Sequence, residues 1–166
     1  MKKIKTERGQ SLVEMAISLV LLLLLLVGAV EFGMAFFQFV QLRDAAQEGA
    51  LYGSMNPYID ANNDGKFNNG EAVNQAGIET RVRAASNSPI DLANTTSPKL
   101  TIVASSSDGT NMFCEDATGA AQHGVTVTVT FKHKIFMPFI PQILNLPNNE
   151  IPLKASVTDT ILSPTC

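Results

Sequence analysis

The sequence predicts an α+β protein in which one long N-terminal apolar helix packs against a small antiparallel sheet. Three observations carry this. Residues 11–53 contain no proline and only isolated glycines, so nothing in them stops a helix. Residues 124–131 (GVTVTVTF) alternate Val and Thr strictly, the period of a half-buried strand. Between these stretches the chain turns polar and rich in Asn, Ser, Thr, Gly and Pro.

The helix begins in a membrane-like segment. Residues 15–30 are a run of sixteen whose only polar member is Ser18, slightly short of the ~20 residues of a full span. Residues 32–37 extend the run past Glu31, so a tilted helix can cross. Lys2, Lys3, Lys5 and Arg8 all precede it, which places the N-terminus on the cytoplasmic side and the body outside. The net charge of −3 is therefore uneven. Residues 1–9 hold four of the twelve basic residues and one of the fifteen acidic ones. An acidic body without a basic patch argues against nucleic acid as a partner.

The outer half of the helix changes character. Leu42, Ala45, Ala46, Gly49, Ala50 and Gly53 recur at helical spacing as a narrow stripe of mostly small residues, with Arg43, Asp44, Gln47 and Glu48 off it. Such a face lets a sheet or a second helix come close. At 1.5 Å per residue the helix measures roughly 65 Å.

Glu14 is the odd residue, a carboxylate at the mouth of a leucine run. A cleaved secretory signal and a plain single-pass anchor both fit the apolar segment, and neither accounts for it. A third reading does. Residues 1–9 form a short basic leader ending in Gly9. Cleavage there starts the mature chain at Gln10 and makes Glu14 its fifth residue. Basic leader, glycine, four residues, glutamate and long apolar helix resemble the class III or type IV prepilin pattern. That resemblance implies cutting by a prepilin peptidase. It also implies pairing of Glu14 with a free N-terminal amine, its own or a neighbour's, in a filament core. A carboxylate in a dry helical bundle is tolerable beside an ammonium and costly alone. A start at Gln10 departs from the Phe or Met of many type IV pilins, and cyclisation of that glutamine removes the amine.

Residues 30–54 (VEFGMAFFQFVQLRDAAQEGALYGS) resemble the TadE/TadG family, pilin-like proteins of the tight-adherence (Flp) pilus apparatus. The matching features are Glu31-Phe32-Gly33, Gln41, Ala45-Ala46 and Glu48-Gly49-Ala50. Residues 125–147 and 151–162 resemble that family's two late strands and the Pro-rich apolar connection between them. The resemblance spans roughly 8–54 and 124–162. It implies a pilin-like α+β fold and an envelope or filament role, with no catalytic residues. The expected organisation is a leader over 1–9 and a helix over 10–54 that spans the membrane and then packs in a filament. Residues 55–166 would form an extracellular body. The implied partners are further copies of the chain, the prepilin peptidase and the pilus assembly machinery. A membrane-anchored assembly factor and an adhesive minor pilin are the alternatives.

Residues 60–71 (DANNDGKFNNGE) fit the pattern D-x-[DN]-x-[DN]-G-x5-E of a calcium loop. Asp60, Asn62 and Asp64 fall at positions 1, 3 and 5, and Gly65 supplies the turn. Lys66 would offer its backbone carbonyl, Asn68 would bind through water, and Glu71 would chelate with both oxygens. Calcium is hard and takes six or more oxygens, and two asparagines in place of aspartates point to an affinity near ~10⁻⁴ M. An Asn/Gly-rich surface turn is the bland alternative. Pro57 keeps a long entering helix from running into the loop. An exiting helix is expected from Glu71 to about Ala85, with Val73, Ala76, Gly77, Val82 and Ala84-Ala85 packing weakly.

Further strands are expected over 99–105 (KLTIVAS) and 151–162, with a turn at Asp108-Gly109. Residues 135–147 (IFMPFIPQILNLP) are apolar with three prolines. They read either as a loop folded over the core or as a contact surface for a neighbouring subunit or the membrane. The two cysteines, Cys114 and Cys166, would close a loop of about 52 residues if paired, worth roughly 4 kcal/mol in the chain-entropy model. Intermolecular pairing and free thiols remain open. His123 and His133 have no partner at ligand spacing and read as surface residues. Asn94-Thr95-Thr96 is a glycosylation sequon. With no nucleophile elbow, phosphate loop or acid/base pair, an enzyme is not expected.

Overall fold

The computed structural model describes residues 8–65, 71–95, 100–106, 123–137, 140–143 and 145–162. Helix α1 runs Arg8–Met55 and is followed by α2, Gln75–Ala84. Strands β1 (Leu100–Ser106), β2 (Gly124–Lys134) and β3 (Glu150–Thr160) form an antiparallel sheet in that order. A four-residue helix, α3 (Ile140–Ile143), and a short turn at Pro147–Asn149 lie between β2 and β3. The architecture is the expected α+β arrangement, a long helix on a small sheet.

Helix α1 has two halves that differ in what covers them. Its N-terminal part exposes Leu12, Val20, Leu24 and nearly every other large apolar side chain up to Val40. Its C-terminal part buries Leu42, Ala45, Ala46 and Ala50 completely, the stripe read from the sequence. Opposite them stand Val125, Val127 and Val129 of β2, Ile102 and Ala104 of β1, Ala155 of β3, and Ile78 and Val82 of α2.

Close approach depends on two glycines. A Cβ on Gly49 would come within 2.4 Å of Val82 Cγ2 and 3.3 Å of Val127 Cγ1. One on Gly53 would stand 3.0 Å from Ile78 Cδ1 and 3.1 Å from Val125 Cγ1. Burying branched side chains of this size stabilises by roughly 1.5–3 kcal/mol each, and the glycines let the sheet and α2 reach the helix to do so.

The strand parity follows the sequence. Thr126 and Thr128 face outward and meet Thr158 and Ser156 at 2.7 and 2.9 Å across the β2–β3 pair, a hydroxyl ladder on the wet face. Side-chain amides tie the remaining segments to the core. Ile90 N–H donates to Gln41 Oε1 and Gln41 Nε2 donates to the Ile90 carbonyl, both at 2.7 Å. Gln75 closes the same pattern on β1, donating to the Ile102 carbonyl at 3.0 Å and accepting from Ala104 N–H at 2.9 Å. Just past β3 the chain returns to the top of α1, where Leu162 N–H donates to the Ser54 carbonyl at 3.2 Å.

Three expectations are corrected. Helix α2 starts at Gln75 rather than Glu71, because Asn74 caps it: its side chain accepts from Gly77 N–H at 3.1 Å. The buried residues of α2 are Ile78 and Val82. His123 and His133 are buried, not surface residues. Strand β2 continues three residues past Phe131, which carries His133 inward.

Candidate functional site

Three places draw the functional reading together: the start of α1, the 60–71 loop, and the junction between the apolar helix and the sheet.

At the start of α1, Gly9, Gln10 and Glu14 are all exposed. Among the described residues, nothing beyond its chain neighbours and the helix's own backbone comes within 4 Å of the place a Gly9 Cβ would occupy. Gln10 and Glu14 are four residues apart on a continuous helix, so they share a face. The Gly9–Gln10 bond and the Glu14 carboxylate are thus both accessible, the carboxylate among exposed Leu12, Val13, Met15 and Ile17.

The loop begins where α1 stops. Helix α1 ends at Met55, and Pro57, fully buried, follows. The two ends of the loop are closed by an antiparallel bridge between Tyr58 and Val73, with Ile59 N–H donating to the Ala72 carbonyl at 3.0 Å. Inside it, the Asp60 carboxylate accepts from Asp64 N–H at 3.3 Å and from Gly65 N–H at 2.9 Å. Gly65 has φ +73°, the left-handed turn that glycine adopts without a steric penalty. Glu71 Oε1 accepts from Ala61 N–H at 3.2 Å, so the last acidic residue reaches back to the first turn. Asn62 donates to Asp64 Oδ2 at 3.1 Å.

Lys66 and Asn68 lie outside the described residues, and so do Cys114 and Cys166. Among the described residues no three Asp, Glu, His or Cys side chains are gathered as a metal shell. Asp60, Asp64 and Glu71 instead spend oxygens on backbone N–H groups and on Asn62. The donor set itself, three carboxylates with amide oxygens, is the oxygen chemistry a hard divalent cation takes. The acidic loop reaches the neighbouring phenol: burial, then Asp60, Glu71 and Asp64, hold the Tyr58 hydroxyl above its ordinary pKa.

The junction is the part sequence reasoning missed. His133 Nε2 stands 3.0 Å from Glu31 Oε1, and Nδ1 stands 2.6 Å from Gln38 Oε1. Phe136 N–H donates to the same Glu31 oxygen at 3.2 Å. Turning the Gln38 amide over gives the neutral ring one donor and one acceptor, so the cluster is satisfied with the ring neutral or charged. The signal was present in the alternation. Val125, Val127 and Val129 point inward, and His133 keeps their parity. Past the cluster, Met137 packs on α1: a Cβ on Gly28 would lie 3.0 Å from its Cε. The described part of 135–147 therefore both covers and protrudes, since Ile135 and Pro141 are buried while Phe136 is 71% exposed.

Comparison with known proteins bears on α1. Residues 9–51 match the family described as TadE-like protein, in agreement with the resemblance read from residues 30–54. No curated protein and no solved structure matches the chain. The matched segment contains Gly9, Gln10, Glu14, Glu31 and Gln41 and ends before the loop and the sheet.

Proposed function

From a chain whose N-terminal helix is TadE-like, we propose a structural, pilin-like subunit of a Tad-type type IV pilus. Association with such a pilus is the reading the family match supports. The observation that carries the finer proposal is the division of α1. Its first half is exposed, apolar and long enough to cross a membrane, and its second half is the buried spine of the body. In this reading the chain inserts with its N-terminus inside. A prepilin peptidase cuts after Gly9. The chain then leaves the bilayer, and residues 10–53 pack into a filament core with the body outside. Glu14 meets the Gln10 amine of its own or a neighbouring chain, which favours one axial register because a carboxylate in a dry bundle needs a cation.

We further propose that calcium orders the 60–71 loop, held by Asp60, Asn62, Asp64, the Lys66 carbonyl, Asn68 through water, and Glu71. The support is the spacing, the Gly65 turn and the bridge that closes the loop. Bound calcium would neutralise an acidic surface and stabilise the body by mass action. An intrachain bond between Cys114 and Cys166 completes the exported body in this reading.

The test is N-terminal sequencing and intact mass of material sheared from cells, with Glu14→Ala alongside. The expected result is a chain starting at Gln10, found in filaments and two hydrogens light, and no filaments from Glu14→Ala despite normal insertion. Normal filaments from Glu14→Ala would sink the role of Glu14. The second reading, a membrane-resident assembly factor, draws on Met137 lying against Gly28, which holds the body beside the apolar run. A chain found only in membranes would favour it. Loss of adhesion on chelation with filaments intact would favour an adhesive minor pilin.

A further inference from the structure

The sheet does not stand away from the apolar helix on a stalk. Strand β2 descends along α1, and the connection that follows it reaches the helix at a level inside the apolar run. The position of that contact can be placed by arithmetic. The apolar run that starts at Met15 crosses a ~30 Å hydrocarbon layer in about 20 residues and ends near Met34. Gly28 then lies roughly 9 Å inside the boundary at 1.5 Å per residue. Met137 packs on Gly28. Beside it Phe136 is 71% exposed with its backbone N–H tied to Glu31.

Exposed aromatic side chains stand just above this contact on α1. Phe32, Phe36 and Phe37 are exposed on the next turns of α1, and Phe32 and Phe36 stack at 6.3 Å between ring centroids. On α1 the carboxylate at this depth, Glu31, is turned to His133 and to the Phe136 N–H. Those contacts take the place of water around Glu31 and lower the cost of bringing this end of the body into the interface.

We propose that the head of the β2–β3 connection, Phe136 and Met137, is a membrane contact that seats the body on the bilayer surface. Its partner is lipid, the upper acyl and glycerol region of the leaflet on the body's side, and the helix aromatics extend the same belt. The body thus reads the membrane through two elements, the helix that crosses and the connection that rests beside it. This rests on the reading that α1 spans a bilayer, and the experiment separates the two.

The chain has no tryptophan, so a single one reports its own surroundings. Phe136→Trp, Leu22→Trp and Val103→Trp would each be reconstituted full length in phosphatidylcholine/phosphatidylglycerol vesicles with lipids brominated along the acyl chain. All three replaced side chains are exposed in the protein, so none opens the core. Leu22→Trp is expected to be quenched by deep bromines and Val103→Trp by none. Phe136→Trp should shift to the blue and lose about half its emission to shallow bromines, the depth of an interfacial side chain ~5–10 Å into the boundary. An unshifted emission quenched by iodide from the buffer would overturn the seat while leaving the span intact. A blue-shifted emission that no bromine quenches would mean that a second copy covers the site, and would also overturn it. Failure of Leu22→Trp to meet bromines would overturn the span and the seat together.

Discussion

Glu31 and His133, 102 residues apart in sequence, meet at 3.0 Å where the apolar helix enters the body. The ring is nearly inaccessible and the carboxylate only slightly less so, at 4% and 13% of their side-chain surface. This cluster is the lower clasp of the fold, fixing the end of β2 to α1 below the hydrophobic core. Removing His133 leaves the Glu31 carboxylate with one donor and Gln38 with none from the ring. We expect His133→Ala to cost about 2–3 kcal/mol, the penalty of buried polar groups left short of partners. Glu31→Gln keeps an oxygen that accepts from the ring and from Phe136 N–H, and should cost less than half as much. Urea unfolding in mild detergent, followed by circular dichroism, measures both. Equal losses for the two variants would mean that the clasp acts through packing alone.

The parts of the fold governed by period were legible in the sequence. Strict Val/Thr alternation placed β2, and the stripe Leu42, Ala45, Ala46, Gly49, Ala50, Gly53 placed the buried face of α1, because neither signal needs knowledge of a distant partner. His133 was misread for the opposite reason. Its partners Glu31 and Gln38 lie about a hundred residues away, and ligand spacing along the chain is blind to a pair that only the β2–α1 packing creates. The start of α2 was misplaced by four residues because the calcium pattern ends at Glu71, while the helix begins only after Asn74 can cap it. Gly9, Gln10 and Glu14 were legible as a spacing, and the structure adds that all three are exposed on a continuous helix.

The glycines of α1 should separate by what a methyl group would meet. Each gains up to about 1 kcal/mol of helix propensity on replacement by alanine. At Gly33 nothing lies within 4 Å, so Gly33→Ala should keep that gain. At Gly53 the neighbours stand at 3.0–3.2 Å and must give slightly, so Gly53→Ala should be near neutral. At Gly49 the 2.4 Å approach to Val82 forces α2 outward, and overpacking of this kind costs roughly 1–3 kcal/mol. The expected stability order is Gly33→Ala, Gly53→Ala, Gly49→Ala. A Gly49→Ala variant as stable as the parent would show that α2 is loosely held.

Gln41 should act on one segment rather than on the whole body. Its amide exchanges two 2.7 Å hydrogen bonds with Ile90 and is buried. Gln41→Leu removes both and strands two backbone groups, a loss of about 2 kcal/mol. The segment around Ile90 is held a second time by Arg83, which donates to the carbonyls of Leu92 and Asn94 at 3.0 and 3.2 Å. We therefore expect Gln41→Leu to open cleavage by a protease within residues 86–95 while the sheet stays protected. Adding Arg83→Ala should increase that cleavage more than additively, because the two side chains hold one segment. Cleavage spread evenly over the chain would contradict this local role.

Tyr58 offers a direct reading of the loop. Burial raises its pKa first, and the charges of Asp60, Glu71 and Asp64 raise it further. Since the folded value lies above the unfolded one, near 10, this group's contribution to stability is complete below the unfolded value. It is lost as pH rises through the folded one. A divalent cation among those carboxylates would cancel their share and leave the share due to burial. Calcium should therefore move the Tyr58 titration down toward the ordinary range without returning it fully. The chain has two tyrosines, so Tyr52→Phe isolates the signal for ultraviolet difference titration. Asp60→Asn should lower the Tyr58 midpoint without calcium and reduce the further drop that calcium produces. Magnesium, which dehydrates reluctantly and demands octahedral geometry, should do less than calcium at equal concentration. If calcium left the midpoint where it was while Asp60→Asn shifted it, the loop would be an acidic turn closed by its own N–H groups, and the proposed ion site would be withdrawn.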